Sequence, residues 1–316
     1  MRLVEGLDAL SELDLASIYG DRSANSHSVV AVGVFDGVHL GHHRLLHQLL
    51  EMASDLRGMP TVVTFANHPD QVLRGNAPPP LCSVAHRLRL LRRAGVLRLV
   101  LLQFEERLQN MTARAFTEQV LVRLRARGLL LGYDSAMGKD REGTPARFAE
   151  LGQDFGFEVE TGAPVELDGE PISSTRIREA IASGDLATAR RCLGRFPGAL
   201  GEVVHGDARG RTLGFPTANI AVQPGALPPT GVYAVEAVID GETFAAVANL
   251  GCRPTFAGSS PSLEVHLLDF ESDLYGRELE VTFRQMLREE RKFSGPDELR
   301  EQIGRDVAAA RACLLA

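Results

Sequence analysis

Val29-Val30-Ala31-Val32-Gly33-Val34-Phe35-Asp36-Gly37-Val38-His39-Leu40-Gly41-His42 runs from a β-branched apolar stretch, through a turn carrying glycines, into the segment Gly41 to Arg57, where Leu45, Leu46, Leu49 and Leu50 share one side. A short continuous apolar run reads as a buried strand, and apolar residues recurring every three or four positions read as a helix. The stretch from Val29 to Phe35 is therefore a strand that hands over to a helix. The unit recurs as Thr61 to Phe65 before Val84 to Arg93, Arg98 to Phe104 before Ala113 to Arg127, and Leu129 to Gly132 before Thr144 to Phe155. Strands alternating with helices predict a parallel sheet covered on both faces. On such a sheet ligands sit at the carboxyl ends of the strands.

Beyond Pro171 the segment Ser174 to Leu193 has helical character, with Ala180, Ile181, Leu186 and Ala189 as its small and apolar positions. The pattern then changes. From Leu200 to Phe283 the chain offers the β-prone runs Gly201 to His205, Gly231 to Ile239, Thr243 to Asn249, Ser262 to Phe270 and Glu278 to Phe283, separated by Gly, Pro and Asp turns. Short strands at this spacing predict a barrel or a sandwich. Pro296 to Leu315 reads as a closing helix. The change of pattern near Phe196 to Gly198 predicts an α/β domain over residues 1–195 and a β domain over residues 196–316, with no internal repeat.

A chain of 316 residues exceeds what one core usually serves, and 44% hydrophobic with 24% charged residues is the balance of a folded protein. The net charge of -7 and a pI near 5.8 argue against a general grip on nucleic acid, which needs a basic face. The four cysteines, Cys82, Cys192, Cys252 and Cys313, form no CxxC pair, so neither a zinc site nor a disulfide framework is expected. Met1 to Gly20 mixes Glu5, Asp8, Glu12 and Asp14 among apolar residues and lacks the layout of a secretory signal. No stretch approaches the roughly 18 uncharged apolar residues of a membrane span. These readings make the cytoplasm the expected location, with no membrane partner; an oligomer is compatible with them.

His39 and His42 flank Gly41 where the first strand meets the first helix. A glycine there allows close approach of backbone to a ligand, and the free N–H groups of a helix start favour anions. Each imidazole can donate to a phosphate oxygen and, if protonated, adds positive charge where a transferring phosphorus builds negative charge. The bland alternative is a His pair that only caps the helix or sits at the surface; a metal site lacks a third His or Cys at ligand spacing. Ile172-Ser173-Ser174-Thr175-Arg176-Ile177-Arg178 places hydroxyls and arginines at another helix start. Ser174 or Thr175 can cap that helix, hold a phosphate beside Arg178, or do both, since cap and anion use the same amides.

In the second half, Gly206-Asp207-Ala208-Arg209-Gly210-Arg211-Thr212-Leu213-Gly214-Phe215-Pro216-Thr217-Ala218-Asn219 joins flexible backbone to oxygen ligands, which suits a nucleotide phosphate and a hard cation. It is not a Walker A motif, because the GKS or GKT ending is missing. Leu263 to Phe270 alternates as a half-buried strand does and puts Glu264 and His266 on one face. A carboxylate there could accept a hydroxyl proton, or simply be an exposed strand residue.

Together FDGVHLGH and ISSTRIR resemble the bacterial bifunctional riboflavin kinase and FAD synthetase family. The series GDARGRTLGFPTAN, PPTGVYAV, VANLGCRPTF, LEVHLLDF and DLYGRELEVTF is similar to its kinase domain over nearly the whole second half. The resemblance implies a Rossmann-like α/β nucleotidyltransferase domain followed by a mainly-β, six-stranded barrel with a C-terminal helix. It implies phosphorylation of riboflavin to FMN and adenylylation of FMN to FAD, with ATP as co-substrate and Mg²⁺ as cofactor. His39 and His42 would stabilise the adenylyl transition state, with Gly33, Phe35, Asp36, Gly41, Ser174, Thr175 and Arg178 around that ATP. In the kinase, Glu264 would be the base, Thr217 and Asn219 would ligate Mg²⁺ and phosphates, and Gly206, Arg211 and Gly214 would meet the nucleotide. Flavin contacts would come from Asn67, Asp134, Arg291 and Phe293. The chain departs from the family at Thr64 to Pro69, which lacks the acidic residue and the proline that commonly precede the His-Pro pair, here His68-Pro69. It departs again at Gly132 to Gly138, where two aromatic rings and a basic residue of the family's GxDFRFG stretch are replaced. The expectation is weakened FMN binding at an active adenylyltransferase; the alternative is a riboflavin kinase alone.

Overall fold

The computed structural model describes residues 2–11, 27–206, 209–255 and 258–315. Asp207 and Ala208 of the glycine-rich run, and Glu12 and Asp14 near the N-terminus, lie outside the described residues. The chain forms two compact units, Met1–Pro79 with Val84–Ser173, and Pro80–Ser83 with Ser174–Ala316.

In the first unit the strands β1 (Arg2–Glu5), β2 (Ser28–Val32), β3 (Met59–Phe65), β4 (Arg98–Leu102), β5 (Ala126–Gly132) and β6 (Glu158–Gly162) form one parallel sheet in the order β1-β4-β3-β2-β5-β6. Every residue of β2 and of β4 is buried, as strands with both faces covered must be. Val30, Val63, Val100 and Leu129 on the sheet pack with Phe116, Leu121 and Phe148 in the main core. On the opposite face the helix Leu40–Asp55 buries Leu46, Leu49 and Met52. From β2 the chain builds outward through β3 and β4, then crosses to β5 on the other side. The sheet therefore has its switch point between β2 and β5, where the loops leaving adjacent strands part and open a crevice.

Several boundaries differ from the sequence reading. β1 and β6 were not expected, because each is an edge strand with a single buried residue and so carries little hydrophobic signal. The expected helix Ala113 to Arg127 is an α-turn, Ala113–Phe116, followed by a π-helical turn, Thr117–Leu121, and it yields to β5 at Ala126. Ser174 to Leu193 is two helices, Ser174–Ala182 and Leu186–Leu193. The break comes at Gly184, whose φ of 81° ends one helix, and at Asp185, whose carboxylate caps the next by accepting from the Thr188 N–H at 2.9 Å. A two-residue hairpin, β7 (Glu166–Leu167) and β8 (Glu170–Pro171), precedes them.

The second unit closes β9 (Gly198–Val204), β10 (Ala218–Val222), β11 (Gly231–Ile239), β12 (Glu242–Thr255), β13 (Gly258–Leu267) and β14 (Glu278–Arg288) into an antiparallel barrel, ordered β10-β13-β12-β11-β14-β9. Closure leaves no open edge. Tyr233, Val235, Leu263, Val265, Val281 and Phe283 fill the interior. The helix Pro296–Leu314 lies on the outside of the wall, where Ala310, with Val307 and Leu314 beside it, packs against Val232, Ala234 and Val247. Arg288 fastens it there by clasping Asp306 with Nε at 3.1 Å from both carboxylate oxygens and Nη2 at 2.9 Å. Among the described residues no helix is long and apolar enough to cross a membrane.

Candidate active sites

β2 leads directly into a turn in which Phe35, Gly37 and Val38 have φ values of 53°, 70° and 41°. Glycine adopts this region freely; phenylalanine and valine do so only when their surroundings enforce it. Phe35 is buried, with its ring 3.1 Å from where a Cβ on Gly33 would sit, and Asp36 is buried too. The turn delivers His39 to the N-cap of the helix Leu40–Asp55. The His42 N–H donates to His39 Nδ1 at 3.4 Å, and the His39 N–H donates to His42 Nδ1 at 3.3 Å. The two rings stack with centroids 3.7 Å apart at 20°. A Cβ at residue 41 would lie 3.1 Å from both Nδ1 and Cε1 of His39, so the glycine makes room for the folded-over ring.

This geometry fixes the tautomers. With both Nδ1 atoms accepting, each neutral ring carries its proton on Nε2. Burial, and then the neighbouring His39, His43 and Arg87, hold the His42 imidazole well below its ordinary pKa. His42 is therefore a neutral N–H donor through Nε2, and His39 beside it accepts through Nδ1. The place of the pair at the carboxyl end of β2, beside the switch point, suits an anion.

The loop after β5, on the other side of the switch point, carries Asp134 on an exposed turn. Met137 packs against the main core and pairs its backbone with Gly143. Of the three family positions that differ here, one is thus structural. Asn67 uses both ends of its amide on the backbone of Phe104, donating to the carbonyl and accepting from the N–H at 2.8 Å each. It ties the loop after β3 to the loop after β4, a role that sequence reasoning missed. Ser174, Thr175 and Arg178 open the helix Ser174–Ala182 as expected, but that helix belongs to the second compact unit, whereas His39 and His42 belong to the first.

The second site is a cavity of about 440 Å³ between the outer barrel wall and the C-terminal helix. Thr217, Asn219, Glu264, Arg291 and Phe293 all line it, together with Gly210, His266, Asn249, Glu290, Arg288 and Asp306. Its polar floor follows from strand register: Asn219 on β10 and Asn249 on β12 both stand opposite Glu264 on β13. Residues that alternate with these, Leu263 and Val265, point into the barrel core. Gly206 and Gly210 are spacers for this floor. A Cβ on Gly206 would fall 2.1 Å from Asn219 Nδ2, and one on Gly210 would fall 3.1 Å from Thr217 Oγ1. Phe293 lies under the guanidinium of Arg291, 4.7 Å from its centroid. His266 Nδ1 is 2.7 Å from the Pro216 carbonyl, which steadies the run before Thr217.

Thr217 also borders a second opening at the barrel mouth, lined by Arg211, Val265, Leu267, Phe270 and Tyr275. Gly206 and Gly214 line neither; Gly214 instead supplies a φ of 85° that ends the short helix Arg209–Thr212. Asn249 was legible in principle from alternation along β12. Asp306 was not, because its pairing with Arg288 joins a helix to a strand with no local signature.

Two family descriptions match the chain: FAD synthetase over residues 21–176 and riboflavin kinase over residues 193–314. The bifunctional riboflavin kinase/FMN adenylyltransferase of Pseudomonas fluorescens is 41% identical over 315 residues, covering 99% of this chain and 97% of the relative. That of Escherichia coli (strain K12) is 39% identical, covering 98% and 97%. Among solved structures, a macrolide-efflux protein from Streptococcus pneumoniae superposes with a TM-score of 0.81 at 33% identity, covering 98% of this chain and 99% of that one.

Proposed function

Because this chain belongs to the bifunctional riboflavin kinase/FMN adenylyltransferase family and carries both activities, we propose how its residues divide the two reactions. In the first, ATP phosphorylates riboflavin to FMN; in the second, ATP adenylylates FMN to FAD with release of pyrophosphate. The match of both halves at this identity favours the bifunctional reading over a kinase alone. We assign the adenylyltransferase to residues 1–195 and the kinase to residues 196–316.

The observation that carries the kinase assignment is the convergence of Thr217, Asn219 and Glu264 in one cavity beside Phe293. Glu264 takes the proton from the ribityl 5'-hydroxyl, whose oxygen then attacks the γ-phosphorus as ADP departs. Riboflavin lies between barrel wall and C-terminal helix, with Phe293 and Arg291 against it. ATP lies across Thr217 with its base toward the barrel mouth, where Phe270 and Tyr275 offer apolar faces and Arg211 a charge. A magnesium ion fits the donors present, the Thr217 hydroxyl and the Asn219 amide oxygen, which are hard ligands beside glycines that leave space for phosphate. When bound it would neutralise charge on the phosphates.

In the adenylyltransferase a phosphate oxygen of FMN attacks the α-phosphorus of ATP, and the bond to pyrophosphate breaks. No covalent enzyme intermediate is needed; positioning and charge stabilisation supply the rate. The two Nε2–H groups of His39 and His42 donate to oxygens of the reacting phosphates. Ser174, Thr175 and Arg178 hold the outer phosphates; this role rests on the motif. Asp134 faces the flavin from the loop after β5. We read the location as cytoplasmic, without nucleic-acid partners, from the acidic charge and from cysteines spaced without a CxxC pair.

Incubating the protein with riboflavin, ATP and Mg²⁺ and following flavins by chromatography tests the whole reading. FMN should appear and then be converted to FAD. FMN that accumulates without FAD would remove the second half, and no FMN at all would remove the first.

A further inference from the structure

Arg87 sits on the helix Val84–Arg93, outside every motif singled out in the sequence, and yet is buried. A buried guanidinium is costly unless its donors are satisfied by geometry that something requires. Nη1 donates to the Val34 carbonyl at 3.0 Å, and Nη2 donates to the Phe65 carbonyl. The same Val34 carbonyl also accepts from Thr64 Oγ1 at 3.0 Å. Phe65 closes β3, and Val34 is the residue immediately before the strained turn, so one side chain bridges the carboxyl ends of two neighbouring strands.

The contacts continue from there to the reacting groups. Val34 precedes Phe35, whose φ of 53° needs enforcement. The Val38 N–H returns to the Phe35 carbonyl at 3.1 Å and closes the turn. The Phe35 ring meets the His42 ring at 5.1 Å, and His42 stacks on His39. We infer that Arg87 is a positioning residue for adenylyl transfer, which holds the Val34–Val38 turn against β3 and so fixes where the two imidazole Nε2–H donors stand. This inference rests on the proposed role of His39 and His42, and it identifies the element that keeps their turn in place. Its positive charge, facing His42 along with His39 and His43, also favours the neutral ring.

The test uses the full chain, whose kinase reaction is an internal control. In R87Q, kcat for FAD formation from FMN and ATP should fall by about tenfold to a hundredfold while both KM values stay within about twofold, because donors are displaced but binding surfaces remain. In R87K, which keeps the charge and can reach one of the two carbonyls, a substantial part of kcat should return. Riboflavin phosphorylation should be unchanged in both. Wild-type kcat in R87Q would overturn the inference. So would a loss of kcat no larger than the loss of folded protein in a thermal melt, or equal losses in R87Q and R87K, either of which would make Arg87 a merely structural residue. Failure of the His39 and His42 assignment is read separately: H42A with undiminished adenylylation would remove their role whatever R87Q does.

Discussion

Gly206 stands where any side chain would strike Asn219, so a single methyl tests the kinase floor. G206A should push the Asn219 amide aside and lower riboflavin phosphorylation by about tenfold or more, with adenylylation of added FMN intact, as a two-reaction assay would read. E264Q keeps the shape of the cavity and removes the base; it should cut kinase kcat by about a hundredfold or more while flavin binding persists. His42 ties catalysis to stability through its depressed pKa. As pH falls below the ordinary imidazole value of 6.5, the unfolded chain binds a proton that the folded chain refuses. The stability associated with the neutral ring is thus present above that pH and is lost as pH drops toward the lower folded value. Melting curves between neutral and acid pH should show a steeper decline for wild type than for H42Q. At this scale turn spacing placed His39 and His42 at a helix start and alternation put Glu264 and His266 on one strand face, whereas Thr217 and Asn219 were singled out through the resemblance. The contacts of Asn67 and Arg87 were not legible, since their partners are backbone groups that residue type cannot reveal.

Among elements, the C-terminal helix is the one whose attachment bears on function. Its Asp306 is buried and paired with Arg288 in the wall of the cavity proposed for riboflavin. D306A would leave that guanidinium without its buried counter-ion, at a cost of about 3 kcal/mol or more in denaturant unfolding of the barrel, and should raise KM for riboflavin. The loop after β5 offers a gain instead. Ser135 and Ala136 carry no aromatic ring, and Met137 packs against the core. S135F should add one stacking face, worth about 1 kcal/mol, and so lower KM for FMN in adenylylation by about fivefold. Elements with strong periodicity, such as Val84–Arg93 and Gly231–Ile239, were read to the residue. The edge strands β1 and β6 escaped because one-sided exposure leaves no run of apolar residues, and β10 because it follows so closely on the PTA turn.

For the molecule as a whole, the cavity proposed for riboflavin draws its lining from the second compact unit alone, and the histidine turn belongs to the first. A change confined to Glu264 or to His42 should therefore leave the residues proposed for the other reaction intact, although Ser174, Thr175 and Arg178 of the second unit are proposed for adenylyl transfer. An equal mixture of E264Q and H42A chains should convert riboflavin to FAD, with FMN released by one chain and used by the other; a mixture that makes no FAD would mean that the two reactions must occur on one chain. The two-domain plan was legible from the change of hydrophobic period, whereas the switch between β2 and β5 follows only from strand order. The barrel wall carries one more implication. On β13 the odd-numbered Leu263 and Val265 pack in the barrel core, and the even-numbered Glu264 and His266 line the cavity. One stretch of chain thus holds two interleaved texts, and an engineer, or natural drift, can rewrite the substrate preference written in one without disturbing a letter of the other.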